Sequence, residues 1–177
     1  MRKGMKNLLR VMLLSFLVLF GIQQPYQAQA ASGTIRYEDG ERYVRKYNAK
    51  TERKEGKEKY YCNNGCVITG TWKNDYLTGK ATAVYRNKDK YVGYFKYDQR
   101  NGSGTYIWKN GDRYKGSWKD DVMNGKGKYT WKNKNYVTGT WKNGKLNGKA
   151  TLKIRKYKYS IRVSNGKLKK VYSRKKA

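Results

Sequence analysis

A short pattern that recurs at a constant interval constrains the fold of this chain more than any other feature. Each copy has an apolar residue, a glycine and an aromatic residue at alternate positions, and the copies begin at Ile68, Tyr91, Tyr114 and Val137. A further glycine stands eleven residues into each copy, at Gly79, Gly102, Gly125 and Gly148. Self-similarity at a fixed period of about 20–50 residues indicates a repeat architecture, in which each unit packs mainly on its neighbours.

The repeat extends beyond these four copies. Residues 56–72 align without gaps against residues 125–141, three periods later, and residues 159–170 resemble a partial unit that has slipped by one residue. Decayed units are expected where an array ends. The predicted organisation is a signal peptide over 1–30, an N-terminal segment over 31–44, a degenerate repeat over 45–67, repeats over 68–90, 91–113, 114–136 and 137–158, and a partial capping repeat with a basic tail over 159–177.

Alternation with period two within each unit predicts strands rather than helices. Between residues 125 and 131, glycines and aromatic rings alternate with lysines and a threonine, and Asn110-Gly111 gives a hairpin signal at a turn. The predicted fold is all-β, an elongated array of about five consecutive antiparallel β-hairpins in a single twisted sheet. The sparse aliphatic content predicts one thin core.

The aromatic and glycine positions form a predicted structural face. A glycine on one strand leaves room for a ring on its neighbour, so this face is the expected core of the stack. Its members are Tyr91, Gly93, Phe95, Tyr106, Trp108, Tyr114, Gly116, Trp118, Tyr129, Trp131 and Trp141.

Tyr-x-Gly-x-Trp followed by Gly-x-Gly-x-Tyr on a 23-residue period resembles the MORN (membrane occupation and recognition nexus) repeat, most closely over residues 91–136. The departures are apolar or small, namely Ile68, Val137, Phe95, Ala81 and Ala150. The resemblance, to small exported bacterial-type members, implies an elongated array of hairpins that contacts acidic phospholipids or assembles with proteins. Family members commonly place glutamate where this chain has Thr138, Thr140, Lys115 and Ser117, a difference that favours anionic partners.

The first thirty residues have the layout of a secretory signal peptide, with a basic head, an apolar run from Val11 to Ile22 and small residues before the predicted cleavage between Ala30 and Ala31. The expected location is secreted, or on the cell-surface or periplasmic side. Retention of the segment as a membrane anchor is the alternative, although the run is shorter than the about 20 residues that a spanning helix needs.

Charge gives the main functional indication. Without residues 1–30 the chain has 42 − 4 = 38 basic and 12 acidic residues, a net charge of +26, and residues 122–177 contain 18 basic residues and no acid. Such a field attracts anions. The predicted partner is an anionic lipid or a cell-wall polymer, bound through Lys126, Lys128, Lys142, Lys149, Lys153 and Arg155. The alternatives are a merely solubilising charge, self-association of hairpin edges, and nucleic-acid binding.

The residues for catalysis are scarce. The chain has no histidine and two cysteines, so we predict no enzyme activity, no metal site and no cofactor. Cys62 and Cys66 occupy the positions of Trp131 and Asn135 on either side of a hairpin tip. Opposed residues there are close enough for a disulfide, which we therefore predict for the exported protein.

Overall fold

A computed structural model describes residues 32–36, 42–48 and 53–176, with side chains from residue 53 onward. The predicted cleavage site at Ala30 and Ala31 lies outside these ranges. The described chain forms one antiparallel sheet whose strands follow one another in chain order, apart from the short β3, which pairs with β2. The expected single sheet of consecutive hairpins is confirmed.

The sheet has fourteen strands. They are β1 (Ser32–Arg36), β2 (Arg42–Asn48), β3 (Arg53–Lys54), β4 (Gly56–Tyr61), β5 (Val67–Lys73), β6 (Tyr76–Val84), β7 (Lys90–Lys96), β8 (Gln99–Ile107), β9 (Arg113–Lys119), β10 (Val122–Thr130), β11 (Tyr136–Lys142), β12 (Lys145–Ile154), β13 (Tyr157–Ser164) and β14 (Lys167–Lys176).

Two kinds of turn alternate from β4 to β12, and the last two turns, at 155–156 and 165–166, are both short. Five-residue turns at 62–66, 85–89, 108–112 and 131–135 are closed by the N–H of the first residue donating to the carbonyl of the last. Two-residue turns at 74–75, 97–98, 120–121, 143–144 and 165–166 have positive φ at both residues, the geometry of a type I′ hairpin. Asparagine, aspartate and glycine occupy nine of these ten positions because they tolerate left-handed backbone, and Tyr97 is the exception.

One face of the sheet, here called the core face, holds the buried aromatic rings. Tyr91 lies over Gly93 and Gly104, and Tyr114 lies over Gly116 and Gly127, so that a Cβ added at any of these glycines would collide with a tyrosine hydroxyl. Both tyrosines are fully buried. Trp118 packs edge-on against Tyr91, with ring centroids 5.4 Å apart. A single sheet can therefore bury large side chains, because the rings lie flat on glycine backbone.

Units without the tyrosine fill the same space differently. Ile68 and Val137 stand where other units have tyrosine, and the facing strands carry Ala81 and Ala150 instead of a second glycine. A Cβ added at Gly139 would come within 2.9 Å of the Ala150 Cβ. The alanine methyl thus occupies volume that the longer ring takes in the neighbouring units, so the two departures from the family pattern compensate each other.

Aspartates in the turns connect successive units. The backbone N–H of Leu77 donates to Asp98 at 2.7 Å, and that of Lys109 donates to Asp89 at 2.7 Å. From residue 122 onward uncharged groups make the equivalent connections. Asn135 accepts from the Arg155 N–H at 2.9 Å. The fold therefore uses carboxylates before residue 122 and dispenses with them afterwards.

Candidate anion-binding site

The face opposite the core face, here called the solvent face, carries a row of short side chains across the last four strands. The strand register places Thr138 beside Lys128 and Thr151, and Ser160 beside Thr151 and Ser173. We call Thr138, Thr151, Ser160 and Ser173 the hydroxyl row. Because neighbouring strands lie about 4.8 Å apart, the row spans about 14 Å across the sheet.

Basic side chains border the hydroxyl row. On one side Lys149 stands opposite Arg162, and Arg162 stands opposite Lys170. On the other side the register aligns Lys153, Lys158 and Lys175. The sequence from 122 to 177 supplies no carboxylate to neutralise them.

A shallow open depression lies within this face. It has a volume of about 310 Å³ and is lined by Lys126, Thr138, Gly139, Thr140, Lys149, Ala150, Thr151 and Ser160. Two ammonium groups and four hydroxyls thus surround one space, and both kinds of group can donate hydrogen bonds to an anionic oxygen.

The six predicted anion-binding residues lie at different distances from the depression. Lys126 and Lys149 line the depression, and Lys128 lies beside it with its Nζ 3.9 Å from the centre of the Tyr136 ring. Lys153 is half-buried on the same face, and Lys142 is exposed where β11 ends.

Arg155 departs from the predicted alternation. It lies in the turn between β12 and β13 with φ 51°, and so does not occupy a strand position on the solvent face. Extending the alternation of β12 by one residue would place Arg155 on the solvent face. The strand ends at Ile154, however, so the alternation does not extend to Arg155. Arg155 therefore stands at the edge of the basic region.

The aromatic face is structural in most of its predicted members. Strand positions such as Phe95 and Trp141 are buried, and Tyr106 and Tyr129 pack against the buried core. Trp131 differs, with 36% of its surface exposed, because it begins the turn after β10, where its ring makes an edge contact with Tyr129.

The buried tyrosines are unsuited to proton transfer. Burial raises the pKa of Tyr114 to about 12, and burial together with hydrogen bonding to Asp112 raises the pKa of Tyr129 to about 12. These hydroxyls stay protonated at physiological pH and act as hydrogen-bond donors. Tyr114 donates to the Ser117 carbonyl at 3.1 Å, and Tyr129 donates to Asp112 at 2.7 Å.

Cys62 and Cys66 face each other across the first five-residue turn, with Cα atoms 5.0 Å apart and their sulfur atoms within bonding distance. The Cys62 N–H donates to the Cys66 carbonyl at 2.9 Å, as in the other turns of this kind. The position predicted from the three-period alignment is thus the one observed, and it suits a disulfide.

The sequence identified the lysines of the depression but not its hydroxyl floor, which consists of the side chains of Thr138, Thr140, Thr151 and Ser160. The repeat pattern distinguishes Thr138 and Thr140 only as replacements for glutamate, and it does not distinguish Thr151 and Ser160 from other polar strand residues. Threonine and serine are common on solvent faces of strands, and their convergence depends on cross-strand register. The sequence does contain one indication of this register. The last unit is shifted by one residue relative to the repeat, and this shift determines which residue lies opposite Thr151.

Within 32–36, 42–48 and 53–176, no helix has the length and apolar character needed to cross a bilayer. In the same ranges, no three His, Cys, Asp or Glu side chains are grouped as metal ligands would be.

Comparison with known proteins gives a sequence match to a repeat family and likenesses to solved structures. Residues 69–90, 91–113, 114–136 and 138–156 each match the MORN repeat. A comparison with curated proteins found no significant match. The TCP10 domain of Danio rerio CPAP, solved in complex with a peptide of Danio rerio STIL, aligns at 12% identity over 79% of this chain and 63% of that chain, with a TM-score of 0.48.

The SAS-4 (dCPAP) TCP domain of Drosophila melanogaster, solved with a proline-rich motif of Ana2 (dSTIL), aligns at 14% identity over 86% of this chain and 96% of that chain, with a TM-score of 0.25. The family assignment rests on the sequence match and on the repeat geometry, in which Tyr91 and Tyr114 lie on glycines one period apart. Through four consecutive repeats between residues 69 and 156, this chain belongs to the MORN repeat family.

Proposed function

We propose that this protein is an exported, non-catalytic repeat module that binds a phosphate-bearing anionic surface or polymer through the solvent face of β10–β14. The observation that carries the proposal is the segregation of charge along the sheet. Residues 53–121 contain 15 basic and 8 acidic residues, a net charge of 15 − 8 = +7, whereas residues 122–176 contain 18 basic residues and none that is acidic.

The fold does not require this segregation. The connections that Asp89 and Asp112 make between earlier units are made by Asn135 in the last one, so an aspartate there would serve the same backbone contact. Eighteen uncompensated cations repel one another, and solubility alone needs far fewer. A partner that neutralises them accounts for the composition.

Self-assembly through sheet edges is the second candidate, since β14 is the last strand of the described sheet and is exposed along its whole length. Two features oppose it. Six of the ten residues of β14 are lysine or arginine, and its pairing with β13 shifts register twice. Charge and bulges on an edge strand both prevent pairing with another copy, so anion binding is favoured.

The chain provides its own control for a test by mutation. Lys126, Lys128, Lys142, Lys149 and Arg155 have basic counterparts three periods earlier, at Lys57, Lys59, Lys73, Lys80 and Arg86. Replacing the late five and Lys153 with glutamine defines one variant, and replacing the early five and Lys90 defines the other. Both variants lose the same charge.

Binding of each variant to vesicles containing phosphatidylglycerol and to linear polyphosphate is measured at two salt concentrations. Each late cation near an anionic surface contributes up to about 1 kcal/mol, so the late variant should lose more than about a hundredfold in affinity and the early variant much less. Circular dichroism checks the fold. If the late variant binds as tightly as the parent, its charges are only solubilising and the proposal is wrong.

A further inference from the structure

We infer that the depression between Lys126 and Lys149 binds the phosphate groups of a linear polymer that lies across β10–β14, and that its hydroxyl floor distinguishes such a chain from a flat lipid surface. The inference rests on the proposed function and names the class of ligand. It adds Thr138, Thr151 and Ser160 as residues that contact the ligand.

The floor of the depression continues beyond it in one direction. Thr138, Thr151, Ser160 and Ser173 are successive partners across four strands, so the short side chains form a continuous path. The longer basic side chains stand on both sides of that path. A linear anion placed along it meets hydroxyls beneath and ammonium or guanidinium groups on either side.

The hydroxyls are available as donors to such a ligand. Thr138 Oγ1 donates to the Gly127 carbonyl at 3.4 Å, a long hydrogen bond that contributes little. Redirecting that proton to a phosphate oxygen replaces it with a charge-assisted hydrogen bond, which is about twice as strong as a neutral one.

A linear polymer and a flat membrane differ in how deeply they can enter between the basic side chains. Lysine and arginine side chains extend beyond threonine and serine, so a flat anionic surface reaches the charges first and leaves the floor unoccupied. A narrow chain can enter between the charges and contact the floor. The two ligands therefore depend on the same cations but differ in their dependence on the hydroxyls.

The floor also favours a polymer without bases. Proteins that bind single-stranded nucleic acid stack bases on aromatic side chains that stand in the binding groove. Here the rings of Tyr129 and Trp141 pack on the core face, and the ring of Tyr136 on the solvent face is covered by Lys128, whose Nζ lies 3.9 Å from the ring centre. Of the depression's eight lining residues none is aromatic.

The test uses substitutions that leave charge unchanged. Thr138→Val with Thr151→Val removes two hydroxyls while keeping shape and strand preference. The matched control is Thr69→Val with Thr82→Val, because Thr69 and Thr82 pair in the same way three periods earlier. Thr138→Ser with Thr151→Ser restores the hydroxyls. Linear inorganic polyphosphate, phosphatidylglycerol vesicles and single-stranded DNA are the three probes.

The valine variant should bind polyphosphate about a hundredfold more weakly, because it loses two hydrogen bonds to a charged group and each contributes about a factor of ten. The serine variant should bind it nearly as the parent does. Vesicle binding and the control should be unchanged. The inference is overturned by unchanged polyphosphate affinity, by an equal loss in the control, or by tighter binding of DNA than of polyphosphate. The glutamine variant tests the proposed function separately, because it changes charge and leaves the floor intact.

Discussion

Residues 56–84 and residues 125–153 have similar sequences three periods apart, but different neighbours surround them. In both, a glycine stands opposite a tryptophan, as Gly56 opposite Trp72 and Gly125 opposite Trp141. The residues of the depression recur in the early segment, since Lys57, Thr69, Thr71, Lys80 and Thr82 match Lys126, Thr138, Thr140, Lys149 and Thr151.

The strand that follows makes the difference. In the early segment Thr82 stands opposite Val92 and Lys80 stands opposite Tyr94, so the polar path ends at apolar and aromatic side chains. In the late segment the corresponding partners are Ser160 and Arg162, which continue it. The change comes from the turn, because five residues at 85–89 are replaced by two at 155–156 and the facing strand shifts by one position.

The acids reinforce the difference. Asp75, in the two-residue turn of the early segment, accepts from the Lys54 N–H at 2.8 Å, whereas Gly144 occupies the same position in the late segment. The same local motif thus has both acidic and basic side chains around it in the early segment, and basic side chains without acidic ones in the late segment. A short motif does not by itself define a site; the neighbouring strand and the surrounding charge complete it.

The most severe test of this comparison reverses charge at the matched lysines. Lys126→Glu with Lys149→Glu removes four units of charge from the depression, and the affinity for polyphosphate should fall by up to about a thousandfold. Lys57→Glu with Lys80→Glu makes the same change in the early segment and should cost less than about tenfold, because no continuous polar path leads from it. Equal losses in both would show that only total charge matters.

A second test concerns the packing that the two segments share. Val137→Tyr places a ring against the Ala150 methyl, where the facing strand lacks a second glycine, and should destabilise the protein by about 1–3 kcal/mol. Adding Ala150→Gly recreates the arrangement of Tyr114 over Gly127 and should recover most of that loss. The free energies of unfolding of the parent, both single variants and the double variant form the cycle. Additive effects would contradict the proposed compensation.

The first five-residue turn provides a third test, because only there do two cysteines face each other among the described turns of this kind. A disulfide that closes so short a loop contributes at most about 2 kcal/mol. Replacing Cys62 and Cys66 with serine should lower the unfolding free energy by that amount or less and leave polyphosphate binding unchanged. Labelling of exported protein under denaturing, non-reducing conditions should find no free thiol; two free thiols per chain would refute the disulfide.

The sequence determines the fold almost completely because the repeat is exact in length. Once Tyr91, Tyr114 and their glycines are aligned, strand order and core face follow from alternation and nearest-neighbour pairing. The hydroxyl floor could not be predicted in that way. It depends on the length of the turn at 155–156, and the period-two pattern carries through Ile154 without showing that the strand ends there. The length of a turn determines which residues face each other on the two strands that it joins. At the last unit the repeat does not determine this length.

The last test uses pH to separate the units that are joined by carboxylates from the unit that is not. Burial raises the pKa of Asp89, but hydrogen bonds from the Tyr106 hydroxyl and the Lys109 N–H outweigh it and leave this pKa below its ordinary value. Hydrogen bonds from Tyr129 and the Lys132 N–H lower the pKa of Asp112 in the same way. A carboxyl whose pKa is lower in the folded state stabilises the protein above its unfolded pKa of about 3.9, and that contribution disappears as the pH falls through the folded value.

Amide hydrogen exchange measures this effect locally. As the pH falls from 7 through the lowered pKa values of Asp89 and Asp112, the N–H groups of Lys109 and Lys132 should lose protection, after correction for intrinsic exchange, because their acceptors become protonated. The Arg155 N–H, which donates to the amide oxygen of Asn135, should keep its protection because that acceptor does not titrate. Asp112→Asn is the matched control and should abolish the pH dependence at Lys132 alone. Equal loss at Arg155 would mean that acid loosens the whole sheet, and the distinction between the two regions would then lie in charge alone and not in how their units are joined.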